Sequence, residues 1–227
     1  MEFMMDEGAV PVAGEQPVEQ MEVTAGLKIW PRHAWAINRP PKPGLQPERD
    51  VRLLLVHHTA TSNAYAPDRA AGVMRSMYDY HTGPDKGWFD VCYNFCVDRY
   101  GGVWEARAGS LARPVQADAT GGSQGFTQLV CLIGDFTAEM PTGAALDSTC
   151  RTLAWLADRY GIETTPRAVV TFVSRGSNRW PLGASVTAST ISAHREMSET
   201  ACPGDTFYPY VRDRLTADVA SLSASGR

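Results

Sequence analysis

The stretch LLLVHHTATSN, residues 53–63, runs an apolar segment straight into two adjacent histidines. With Val51 and Arg52 before it, the run has strand length and is apolar at every position from Leu53 to Val56. It therefore predicts a central strand covered on both faces. Successive side chains of a strand point to opposite faces. His57 and His58 must then serve different neighbours, and periodicity leaves open which of them carries chemistry.

Working outward, YAPDRAAGVMRSMYDYH (65–81) places Pro67 in a first helical turn, and Ala70, Val73, Met74, Met77 and Tyr78 recur at helical spacing. Strands are expected at 91–97 and 102–106, joined by a turn carrying Gly101 and Gly102, and again at 129–136. A second helix is expected over 143–160, with Gly161 at its C′ position. A last helix is expected over 206–222, with Phe207, Val211, Leu215, Val219 and Leu222 on one face. Strands alternating with helices predict an α/β domain with a mixed β-sheet and helices packed on it.

The first 25 residues lack periodicity and read as a loosely attached extension. Residues 38–50 hold four prolines and predict an extended arm over the surface. The expected organisation is a flexible extension over 1–28 and one domain over 29–227, comprising an arm (29–50) and a core (51–222).

Composition narrows the function classes. Of 227 residues, 44% are hydrophobic and 20% charged, as in ordinary globular domains. A net charge of −4 without a Lys/Arg block argues against nucleic acid or an anionic membrane as partner. No apolar run approaches the roughly 18 residues of a membrane span. The N-terminus has neither a basic nor an apolar leader segment and so does not read as a signal peptide; if MEF is a cloning scar, a native leader is missing, which leaves the compartment open. Five cysteines make no disulfide framework. Cys92 and Cys96 on one strand would sit about 13 Å apart, beyond disulfide reach.

Only five histidines are present. Besides the 57/58 doublet, the segment 191–208, punctuated by Ser198, Pro203 and Gly204, predicts a loop carrying His194 and Cys202 with seven residues between them. If the loop curls, these two and one strand-end histidine offer two nitrogens and a sulfur. Three protein ligands leave a tetrahedral zinc with an open position, the pattern of a catalytic site suited to hydrolysing an amide or ester. The plain alternative for a lone histidine is a satisfied core residue.

Four stretches, LLLVHHTA (53–60), WFDVCYNFCVDRYGGVWEARAG (88–109), LVCLIGDF (129–136) and SAHREMSETACPGDTFY (192–208), together resemble the peptidoglycan recognition protein / type 2 N-acetylmuramoyl-L-alanine amidase family. The likeness spans about residues 29–222, and SRGSNRWPLGASVTASTISAHRE (174–196) is similar to actinobacterial members. It implies the family's fold and a Zn²⁺ enzyme that cuts the amide between N-acetylmuramic acid and L-alanine of the peptidoglycan stem peptide. It implies His57, His194 and Cys202 as metal ligands, with His58 structural, and Tyr93 and Thr200 as catalytic groups. Trp88, Asn94 and Arg107 match stretches that face substrate, although a structural hydrogen bond is the competing reading for Asn94. Glu105 and Arg107 are placed to touch the stem peptide or each other. At position 118, where many members carry a histidine near the substrate, this chain has Asp118. The expected setting is a secreted or cell-envelope monomer acting on peptidoglycan. The alternative the resemblance carries is a non-catalytic binding module of the same fold.

Overall fold

A computed structural model of the chain describes residues 18–225; residues 1–17 of the expected flexible extension lie outside the described residues. Nine strands occur among the described residues: β1 (Met21–Thr24), β2 (Leu27–Trp30), β3 (Leu53–His58), β4 (Phe95–Val97), β5 (Val103–Glu105), β6 (Thr127–Leu132), β7 (Val169–Val173), β8 (Ser185–Ser189) and β9 (Ile191–Ala193). The five α-helices are α1 (Ala70–Thr82), α2 (Gly143–Tyr160), α3 (His194–Met197), α4 (Tyr208–Asp213) and α5 (Leu215–Ser225). Seven strands form one sheet in the order β1-β2-β5-β4-β6-β3-β9, and β7 and β8 form a separate hairpin. The sheet is mixed: β3 runs parallel to both β6 and β9, and β5 runs antiparallel to β4. This is the expected α/β architecture.

β3 is central because every residue from Leu53 to His58 is buried. Its two faces meet different layers. Leu54 and Val56 pack with Val130, Leu132, Leu153, Leu156 and Val211 on the side of α2, α4 and α5. Leu53 and Leu55 pack with Leu129, Phe172, Val186 and Met197 beneath the β7–β8 hairpin. Cys131, the register partner of His57, packs with Met74 and Met77 of α1 on the hairpin's side of the sheet. By parity His57 belongs with Leu53 and Leu55, and His58 with Leu54 and Val56.

α2 keeps its expected limits. Thr142 accepts a hydrogen bond from Ala145 N at the start, and Gly161 closes the helix at φ 65°, a left-handed conformation that glycine adopts without strain. Several expectations change. Residues 21–30 are ordered strands on the sheet edge, so the flexible extension does not reach residue 28. The reason is the buried pair Leu27 and Ile29, which alternates with exposed Lys28 and anchors β2 beside β5. The expected strand over 91–97 begins only at Phe95, because the Asn94 side chain takes the Leu129 N–H at 2.8 Å. The expected helix over 206–222 is two helices broken at Arg214, and the segment 191–208 opens as strand and short helix before becoming a loop. Among the described residues no helix is long and apolar enough to cross a membrane.

Candidate metal centre and cavity

The parallel strands β3 and β9 end side by side, with Val56 registered on Ala193. β3 therefore delivers His57, and the residue after β9 is His194, the first of α3. The rings of His57 and His194 lie 4.3 Å apart between centroids. α3 is tied to the strand end where Ala193 N donates to Glu196 Oε2 at 2.9 Å.

Cys202 arrives on the loop beyond α3. Its carbonyl accepts from Arg195 N at 3.1 Å, and its N–H donates to Thr200 Oγ1 at 3.2 Å. The loop also needs Gly204 (φ 105°), where any side chain would overlap the Phe136 backbone. Held so, the Cys202 thiolate position is 3.7 Å from His57 Nδ1, and the sulfur accepts from His58 N at 3.3 Å.

The ligand atoms of His57, His194 and Cys202 lie within 4.8 Å of one another. Bonds of about 2.0–2.3 Å in a tetrahedral zinc site give ligand–ligand edges of roughly 3.3–3.8 Å, and the sulfur–nitrogen separation falls in that range. His57 is fully buried, and its Nε2 has no hydrogen-bond partner. Burial, and next the neighbouring His194 charge, hold the His57 imidazole well below its ordinary pKa. Burial, and then His58, hold His194 at about 4. Both rings are thus neutral, lone-pair donors near pH 7. Burial pushes the Cys202 thiol up to about 12, so a bound cation must displace its proton. His57 Nδ1, 3.7 Å from the Cys202 sulfur, beside a second neutral imidazole, fits zinc by donor chemistry and by that separation.

His58 turns to the other face. Its Nδ1 accepts from Phe136 N at 3.3 Å and lies 3.9 Å from Asp135 Oδ1.

A cavity of about 500 Å³ opens above the centre, lined by His194, Tyr93, Trp88, α1 and the 59–62 loop. The Tyr93 ring sits 5.1 Å from that of His57. Burial raises its phenol well above the ordinary value, so it is a hydrogen-bond donor rather than a base. The other expected site residues stand apart. Thr200 is exposed and does not line the cavity; its hydroxyl is engaged with Cys202 N.

Asn94 is not placed to bind substrate. It is fully buried, and its amide spans Ser110 Oγ, Val115 O and Leu129 N, which fills the loop side of the sheet with backbone bonds. Arg107 is 2% exposed and donates to Val91 O and to Asp118 Oδ2, 2.8 and 2.7 Å away. The two residues expected to meet substrate therefore neutralise each other. Glu105 accepts from Gly109 N, Leu111 N and Arg32 N and makes no ion pair with Arg107.

Sequence reasoning missed much of the wall. Val73, Ser76, Met77 and Tyr80 face the cavity along one helical stripe, with His81, Lys86 and Cys92 beside them. The stripe's i, i+3, i+4, i+7 spacing was the available signal, hidden by overlap with the adjoining core stripe of Ala70, Met74 and Tyr78.

A family model described as N-acetylmuramoyl-L-alanine amidase (Amidase_2) matches residues 47–205. The chain is similar to the N-acetylmuramoyl-L-alanine amidase of Homo sapiens, at 31% identity over 217 residues, covering 93% of this chain and 33% of that protein. It is similar to peptidoglycan recognition protein 1 of Mus musculus, at 26% identity, covering 71% of this chain and 74% of that one. Among solved structures it is similar to peptidoglycan recognition protein LE of Drosophila melanogaster in complex with tracheal cytotoxin, with TM-score 0.63, 24% identity, and coverage of 81% and 92%. This chain spans about a third of the length of the mammalian amidases it matches.

Proposed function

The chain belongs to the N-acetylmuramoyl-L-alanine amidase family, and from that membership we propose that it is a zinc-dependent amidase acting on peptidoglycan. The bond cut is the amide between the lactyl group of N-acetylmuramic acid and L-alanine. Water adds across it: the carbonyl carbon gains oxygen, the C–N bond breaks, and the alanine nitrogen leaves as an amine. The observation that carries this reading is the convergence of His57, His194 and Cys202, whose ligand atoms lie within 4.8 Å of one another.

His57, His194 and Cys202 would hold the ion. Zinc supplies Lewis acidity, which makes water nucleophilic near neutral pH and polarises a carbonyl. Neutral imidazoles let His57 and His194 bind a cation without like-charge repulsion. Tyr93 keeps its phenolic proton and donates it as a hydrogen bond to the oxygen on which charge develops. Thr200 fixes Cys202 from behind through its N–H. Trp88 and Tyr93 present aromatic surface to the glycan–peptide junction. The site of action is the cell wall, as a secreted or envelope protein, and the chain acts as a monomer.

The second reading is a binding module that does not cut, favoured by the recognition proteins among its relatives. Digestion of purified walls by the zinc-loaded chain and by Cys202→Ala, followed by mass analysis, separates the two. The amidase releases stem peptides with free alanine amines, and Cys202→Ala releases none above background. Wall binding with no released peptide from either diaminopimelate-type or lysine-type walls would overturn the amidase in favour of the module.

A further inference from the structure

The β7–β8 hairpin holds the short helix that carries a candidate ligand. α3 has four residues, and a helix that short cannot satisfy its own carbonyls. His194 O is taken by Ser198 N at 2.9 Å. The carbonyls that follow are taken by side chains from the loop joining β7 to β8. Arg179 Nη1 donates to Arg195 O at 3.1 Å, Trp180 Nε1 to Glu196 O at 2.9 Å and Ser177 Oγ to Met197 O at 2.8 Å. Just beyond the helix, the Asn178 amide takes both backbone groups of Glu199. Its Nδ2 donates to Glu199 O at 3.1 Å, and its Oδ1 accepts from Glu199 N at 2.9 Å. Four consecutive side chains thus grip the backbone from Arg195 to Glu199. The gripping loop is itself fixed: Ser177 N donates to Trp180 O at 2.8 Å, Trp180 N to Ser177 Oγ at 2.9 Å and Arg175 N to Gly122 O at 2.7 Å.

None of residues 177–180 lines the cavity or belongs to the candidate ligand set. What they grip leads to two of the three ligands. Arg195 gives its carbonyl to Arg179 and its N–H to Cys202 O, 3.1 Å away, so one residue joins the hairpin to Cys202. His194 is one peptide away, the first residue of α3. His57, by contrast, sits in the ladder of β3 and has its own support. A one-turn helix is marginal without tertiary partners. We propose that Ser177, Asn178, Arg179 and Trp180 are positioning residues for the metal centre, holding α3 so that His194 and Cys202 meet His57 at bonding distance. This rests on the zinc part of the proposed function. Ligands held in place beforehand lose less freedom when the ion binds, so the grip acts on zinc affinity. Coupling is reciprocal, so bound zinc steadies the loop in turn.

The test uses the full chain with Asn178→Ala, Trp180→Phe and the two combined. Trp180→Phe removes the donor and keeps an aromatic ring packed on the cluster that includes Met197. The control is Thr187→Ala, which removes an exposed 2.9 Å cross-strand bond to Thr171 within the hairpin and is no part of the grip. Zinc Kd is measured by chelator competition. Each single variant should weaken zinc about threefold and the pair about tenfold, the low end for loss of outer partners. Thr187→Ala should match wild type. Loaded with cobalt(II), whose visible absorption reports ligand geometry, the combined variant should give an altered spectrum and the control the wild-type one. Zinc loading should slow amide exchange at 177–180 in wild type but not in the combined variant. An unchanged zinc Kd in the combined variant overturns the proposal. So does an equal loss in Thr187→Ala, which would assign the effect to hairpin stability alone. Should the combined variant fail to fold, the single variants and the wild-type exchange decide, and no zinc-dependent slowing at 177–180 overturns the grip. A wild type that binds no zinc overturns the metal centre on which the proposal rests, an outcome distinct from equal affinities.

Discussion

The floor of the cavity and its wall are held by different means. On the floor, His57 and His194 stand at the ends of two parallel strands whose ladder fixes their separation, and Cys202 is tied down by Arg195, Thr200 and the close approach at Gly204. On the wall, Trp88, Tyr80 and Lys86 rest on one another by ring and cation contacts at a half-open surface. A ladder constrains position and tolerates little substitution, whereas a surface stack exchanges members without disturbing the sheet. On the amidase reading proposed above, reaction chemistry would sit on the first and substrate choice on the second. The sharpest way to break this contrast lies within the floor itself, at two neighbours of opposite parity. His57→Ala should lower zinc affinity by well over the roughly 10²-fold that loss of an outer partner costs. His58→Ala should keep one zinc per chain and lose only the Phe136 N–H bond. Metal analysis after gel filtration reads both, and equal zinc loss in the two variants would erase the distinction between faces of β3.

A smaller effect tests whether the charges behind the wall are structural. The Arg107 guanidinium is buried and its partner Asp118 has a 24% exposed side chain, so the two ends of the pair are not equivalent. Removing the buried cation strands two acceptors, Val91 O and the Asp118 carboxylate. Arg107→Met should then cost about 3 kcal/mol of stability. Asp118→Asn keeps a hydrogen-bonding oxygen in contact with water and should cost about 1 kcal/mol. Denaturant unfolding compares them at equal zinc content. If Arg107→Met left stability intact but weakened muropeptide binding, the pair would belong to the substrate surface after all.

How far the sequence reaches follows the same division. β3 was legible because it is buried on both faces and so apolar from Leu53 to Val56, and α2 because its apolar face and Gly161 agree. The β7–β8 hairpin was not: Val169 and Val173 stay 61% and 56% exposed, and residues 174–184 separate its strands, so neither alternation nor a short turn announced it. At the site, strand parity required His57 and His58 to part company, and only the family resemblance singled out His57. Register supplies the physical reason, since the partner of His57 is Cys131, which faces α1. The pairing of Arg107 with Asp118 joins positions 11 apart across two loops, and the cavity stripe on α1 borders a core stripe. Neither leaves a periodic trace.

The mildest test concerns pH and separates wall from floor by titration. His81 lies in the wall, its Nδ1 accepting from Cys92 N at 3.3 Å and its ring 5.1 Å from Trp88. Burial lowers its pKa from 6.5 to about 3, with Lys86 and Arg107 adding to the shift. The unfolded chain therefore binds a proton below about 6.5 that the folded chain refuses until about 3, so stability falls as pH drops through this window. Between pH 7 and 5 the loss from this one group is about 2 kcal/mol. The floor histidines titrate in the same direction, but zinc binds their neutral form and suppresses their part in the loaded protein. In zinc-loaded protein, then, His81→Gln should flatten the fall in unfolding free energy between pH 7 and 5 by about that amount, whatever it costs at pH 7. An unchanged slope would mean that the wall gives way locally to hydrate the imidazolium, and that it is looser than its ring contacts make it.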